Sequence, residues 1–242
     1  MKEIIFPKFI FKYLPTYIFA VFLAVVSRLG RIAIFLIPLK IIYISFVGEV
    51  EFNFYFSKNI STIIITLLII FFFLFVLITT LNIHIRNIVS KLANNKEMIN
   101  MAYLNKKLNK KLMITLIYTH SNIVLIILFI LLMLVFNKFL ALFCIISIII
   151  IAYFLPMIEK FSEIMSKEKI NNYFKKFVYD RDLLINIIKA LFLLTGIIII
   201  IFSHSNENIN IFISIVSFVV LRRLINSVFS LFANYNKLKT SA

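Results

Sequence analysis

Apolar runs of about 20 residues recur along this chain, and a run of that length has one good use, which is to cross a bilayer as a helix. The runs cover residues 16–46, 60–81, 116–136, 139–158, 183–202 and 209–231. Hydrocarbon offers no partner for a backbone N–H or C=O, so each run must satisfy its own hydrogen bonds and is expected to be helical. The 242 residues are 62% hydrophobic. Soluble domains lie nearer 45–50%, and one core cannot absorb the excess. The expected fold class is all-α, a polytopic membrane protein with six transmembrane helices.

Charge is distributed unevenly between the runs. Lys and Arg number 26 against 10 Asp and Glu, a formal net charge of +16. The segment 82–111 holds Arg86, Lys91, Lys96, Lys106, Lys107, Lys110 and Lys111. The segment 159–182 holds Lys160, Lys167, Lys169, Lys175, Lys176 and Arg181. The alternate connections are poor in bases, with Lys58 alone in "GEVEFNFYFSKN", Lys138 in "NK" and none in "HSNEN". Basic loops stay in the cytoplasm. Both termini and both basic segments are therefore expected there, with three tight hairpins on the outer side. Abundant Ile, Lys, Asn and Phe suggest a bacterial source, hence an inner membrane. Both basic segments keep apolar residues at helical spacing without Gly or Pro, so the helices are expected to continue beyond the bilayer.

The N-terminal "KEIIFPKFIFKYLP" mixes Lys2, Lys8 and Lys12 with Ile, Phe and Tyr. It reads as an interfacial elbow helix over 1–14, lying along the membrane surface, ahead of a six-helix domain over 15–242. The first run is too long for one upright crossing and must tilt or protrude. Pro38 inside it is expected to kink its outer half.

Several function classes find no footing. The positive charge reads as membrane topology, and no aromatic-rich basic motif for nucleic acid is present. Cys144 is the one cysteine and the chain has three His, so no metal or cofactor constellation is expected. Asp180 and Asp182 flank Arg181 at a helix start, where they complement the helix dipole rather than form a catalytic pair. No catalytic residue is assigned.

The informative charges lie inside the runs. Arg28 and Arg31 sit one turn apart in an apolar helix that carries no acidic residue. Their i, i+3 spacing puts both on one face. They line a cavity that attracts anionic cargo or lipid headgroups, or they snorkel from a helix whose first turns are still cytoplasmic. Lys189 in the fifth run and Arg222 beside Arg223 in the sixth pose the same choice. Together Arg28, Arg31, Lys189 and Arg222 make a candidate cationic substrate cavity. The polar cluster "YTHSN" around His120 either hydrogen-bonds across helices or caps the third run at the interface.

The order of these features resembles the transmembrane domain of ABC exporters of the six-helix type (the type IV fold, also called ABC exporter type 1). The likeness rests on an elbow followed by "YIFAVFLAVVSRLGRIAIFLIPLKIIYIS", with Arg28, Arg31 and "LIPLK" in place. It continues through the turn "FNKFLALFCIIS" and the last helix "ISIVSFVVLRRLINSVFSLFANYNKLKTSA". It runs almost end to end through weak hydrophobic motifs. It implies a permease that moves an anionic or amphipathic substrate, and a homodimer or a heterodimer with a similar membrane chain.

The nucleotide-binding machinery of that family is not in this sequence. A Walker A loop needs glycines and a Gly-Lys-Ser/Thr step to cradle phosphates. Gly30, Gly48 and Gly196 are the only glycines, and none precedes a lysine. The resemblance therefore implies a separate ATP-binding subunit docking on 82–112 and 159–182. Those segments are short for the family. Their shortness favours the alternative, an ATPase-uncoupled scaffold, regulator or immunity-type protein derived from the same fold.

Overall fold

The computed structural model describes residues 13–47, 60–93, 106–167, 181–207 and 211–241. The elbow expected over 1–14 falls almost wholly outside the described residues. All the described structure is helical, in six helices. They are α1 (Leu14–Val47), α2 (Ile60–Ala93), α3 (Lys106–Phe136), α4 (Lys138–Lys167), α5 (Arg181–Glu207) and α6 (Ile211–Ser241). Five carry stretches long and apolar enough to cross a membrane: Leu14–Ser45, Ser61–Ala93, Lys110–Phe136, Ile185–Ser203 and Ile211–Asn234. The apolar part of α4 described without a break is Lys138–Phe154. These helices make the chain a multi-pass membrane protein.

The helices outrun their apolar cores, as the periodicity of the basic segments predicts. α1 and α2 have 34 residues each, roughly 51 Å of helix against about 30 Å of hydrocarbon. α2 reaches Ala93 and α3 begins at Lys106, inside the first basic segment, while α4 runs to Lys167, inside the second. α1 remains α-helical through Pro38. Several threonine hydroxyls in the runs are satisfied within their own helix. Thr66, Thr79, Thr80, Thr115 and Thr195 each donate to the carbonyl four residues back, at 2.8–3.0 Å. Such back-bonding lets a hydroxyl sit in an apolar helix without a partner elsewhere.

The chain divides into two compact units, residues 1–124 with 233–242, and residues 125–232. In the first, α1 packs antiparallel on α2. The α1 face toward α2 is built from small residues, with Ala20, Ala24 and Ser27 almost fully buried. Gly30 continues that face, and a Cβ there would lie 2.7 Å from Ile78 Cδ1. Lower down, Tyr17, Ala20, Leu23 and Ala24 cluster with Ile85, Val89 and Leu92 of α2 and with Met113 and Ile117 of α3. The opposite side of α2 leaves Leu68, Ile69, Phe72, Phe73 and Phe75 exposed, the surface expected to meet lipid.

In the second unit α3 and α4 are joined through Asn137 alone. Its Oδ1 accepts from Leu140 N at 2.9 Å and its carbonyl oxygen accepts from Ala141 N at 3.0 Å. This is an Asn N-cap, so one buried residue ends α3 and starts α4. α4 packs on α5 through Phe143 and Phe192, ring centroids 6.4 Å apart. α5 meets α6 where Gly196 lies under Leu221, and a Cβ at 196 would overlap Leu221 Cδ2. Lipid tails are as apolar as Leu, so burying apolar surface does not hold such helices together. Close packing and hydrogen bonds between helices do.

Candidate functional site

Polar side chains in the first unit gather where α1, α2 and α3 face one another. Ser27 Oγ donates to Asn82 Oδ1 at 2.9 Å, and Arg31 Nη2 donates to the same oxygen at 3.2 Å. Arg28 turns the other way. Its Nη1 donates to Asn122 Oδ1 on α3, and its guanidinium carbon lies 4.8 Å from the centre of the Tyr118 ring. Tyr118 and Asn122 are one turn apart and present a π-face and an amide to the same guanidinium. The two arginines, expected on one face, therefore serve different neighbours. Arg28 is half-buried against α3, and Arg31 is exposed beside α2.

One turn of α3 collects a second bond from α1. The Tyr17 hydroxyl and His120 Nδ1 are 2.8 Å apart, with the rings edge-to-face at 5.7 Å. His120 Nδ1 also lies 3.0 Å from the Leu116 carbonyl, so the tautomer decides which neighbour it bonds. Tyr17 and Arg28 are about 16 Å apart along α1, yet they meet His120 and Asn122, which are two positions apart. The long side chains converge on one level of α3. Of the two readings of "YTHSN", the bond across helices is the one seen. The neighbouring hydroxyls stay local, with Thr119 Oγ1 donating to Thr115 O and Ser121 Oγ to Tyr118 O.

The site is unbalanced in charge and in hydrogen bonding. None of the apolar stretches contains Asp or Glu, so Arg28 and Arg31 bond neutral amides. Asn122 is 1% exposed, and its Nδ2 has no hydrogen-bond partner among the described residues. The amide cannot be turned to cure this, because arginine only donates and needs the oxygen.

The other candidate cations lie in the second unit. Lys189 is half-buried, with its Nζ 5.1 Å from the centre of the Phe229 ring. Arg222 and Arg223 are exposed on α6. The structure gives Arg28 and Arg31 separate polar partners, Asn122 and Asn82, within one helix group, and it places Lys189 over Phe229. Arg28 and Arg31 flank the midpoint of Leu14–Ser45, and Arg222 and Arg223 flank that of Ile211–Asn234. Either end of the α6 stretch is about 18 Å away along the helix, a long way for one side chain to snorkel. Among the described residues, no group of His, Cys, Asp or Glu could hold a metal ion.

Asn82, Asn122 and Tyr17 are the members that the charge pattern overlooks. A signal existed for the two Asn: Asn82 lies between Leu81 and Ile83, Asn122 closes the polar cluster "YTHSN", and an amide in a membrane run needs a partner on another helix. Tyr17 carried no such mark. Comparison with protein-family models, with characterised proteins and with solved structures finds no match for this chain.

Proposed function

We propose that this chain is the membrane-spanning, permease-type subunit of an ABC-type transporter of a bacterial inner membrane. Its six helices would each cross the membrane, with both termini and the basic segments in the cytoplasm, and it would pair with a second copy or a similar chain. The cargo is anionic or amphipathic. ATP hydrolysis belongs to a separate subunit that docks on the basic segments and drives the paired chains between inward and outward states.

The observation that carries this reading is the set of arginines near the middle of two apolar helices with no carboxylate in any apolar stretch. A charge held against lipid at that depth costs several kcal/mol. Arg31, Arg222 and Arg223 are nevertheless exposed on the chain. Water or an anion in a path between subunits removes that cost, and a scaffold sealed in lipid leaves it in place. The competing reading, an ATPase-uncoupled scaffold, regulator or immunity-type protein, draws on the short basic segments.

Affinity purification from the native membrane separates the two. The transport reading expects an ATP-hydrolysing chain to co-purify, with its activity lowered by substitutions in 82–112. Recovery of this chain with itself alone contradicts it.

A further inference from the structure

We infer that Arg28 and Asn122 form a binding site for a phosphate group, on a lipid headgroup or free. In naming the cargo's anionic group, the inference rests on the transport reading. As a binding site it stands on the geometry alone.

Three observations carry it. The first is a surplus of donors. Arg28 gives one N–H to Asn122 Oδ1 and keeps the others, while the buried Asn122 Nδ2 has no acceptor among the described residues. These two groups belong to one hydrogen-bonded pair, so their free donors lie close together. A buried donor without an acceptor is costly and rare in a native protein. The second is charge. No Asp or Glu lies in the apolar stretches of α1, α2 or α3, so these stretches supply no counter-ion. A water molecule would satisfy Nδ2 and leave the charge. An oxyanion satisfies both. The third is presentation. Tyr118 takes the face of the guanidinium at 4.8 Å, and a face contact uses none of its N–H donors. A guanidinium edge with a neighbouring amide donor matches the adjacent oxygens of a phosphate. Arg31, one turn along and bonded to Asn82, adds positive potential.

The test uses the full chain purified in dodecyl maltoside, a detergent without phosphate. Binding of inorganic phosphate and of water-soluble dihexanoyl phosphatidic acid is measured by calorimetry. Wild type is expected to bind at least one of them. Binding of phosphatidic acid alone points to a lipid headgroup, and binding of both points to any phosphate group. Asn122→Leu is expected to weaken binding about tenfold or more, because it removes a donor to a charged acceptor. Asn122→Asp guards against a variant that fails to fold. It places a carboxylate against Arg28, filling the role assigned to the ligand. It is expected to unfold at the same or a higher temperature than wild type while losing phosphate binding. The inference is overturned if wild type binds neither probe, or if folded Asn122→Asp binds as tightly as wild type. Binding in detergent needs no ATPase. Binding without a co-purifying ATPase sinks the transport reading alone, and an ATPase partner without binding sinks this site alone.

Discussion

The two units of this protein use different means to hold helices of nearly the same composition. The first joins α1, α2 and α3 with side-chain hydrogen bonds: Tyr17 to His120, Ser27 and Arg31 to Asn82, and Arg28 to Asn122. The second, as described, relies on close approach at Gly196 and Leu221, on Phe143 against Phe192, and on the cap at Asn137. Its buried Ser147 hydroxyl has no partner among the described residues. Close packing needs small residues and costs nothing in charge. A polar seam brings cations into an apolar helix, and stability alone does not require them. Both units pack closely, at Gly30 against Ile78 in the first and at Gly196 against Leu221 in the second; the first adds a polar seam across its helices.

Four tests sharpen or break that contrast, each read as a shift in the unfolding free energy of the purified protein. Gly196→Val should have the largest effect, because its Cβ overlaps Leu221 Cδ2. A loss of about 2–3 kcal/mol is expected for overpacking, and an unchanged midpoint would mean that α5 and α6 are not closely packed. Next comes the pair Arg28→Met and Asn122→Leu. The double-mutant cycle should give a coupling of about 1–2 kcal/mol, at the upper end for bonds between membrane helices, with the double variant more stable than the sum of the singles predicts. Additive effects would remove the polar seam from the account. Tyr17→Phe keeps the ring contact with His120 and deletes the hydrogen bond. About 0.6 kcal/mol should be lost, and a loss several times larger would mean that the hydroxyl serves more than His120. Lys189→Met is placed last, with a shift of about 0.5 kcal/mol or less, since it exchanges a cation over Phe229 for an apolar side chain there. A larger loss would give the second unit a polar site of its own.

Much of the fold was legible in the sequence because the bilayer leaves a run such as 60–81 few alternatives to a helix. The extension of α2 to Ala93 was legible for a different reason, the unbroken helical spacing of its basic end. α4, Lys138–Lys167, likewise spans the run expected over 139–158. The site was half legible. Arg28 and Arg31 stand out because charge is rare in such helices. Their divergence does not, because a three-residue spacing fixes a face and says nothing of which neighbouring helix each long side chain reaches. Asn122 was marked as part of the polar cluster "YTHSN", but its partner and Tyr17 emerge only once α1 and α3 lie together, since a hydrogen bond across 94 positions leaves no local pattern.

Accessibility of the arginine positions to water tests the central claim most directly. Cys144, the lone cysteine, is buried, so a Cys144→Ala background permits single cysteines at positions 31, 222 and 73. Phe73 is exposed on the apolar face of α2 and serves as the lipid-facing control. The account predicts that a charged methanethiosulfonate reagent labels Arg31→Cys and Arg222→Cys in membranes far faster than Phe73→Cys. At position 31 the anionic reagent should outpace the cationic one, because Arg28 remains nearby and draws negative charge. Equal, slow labelling at all three positions would place the arginines against lipid and contradict the account.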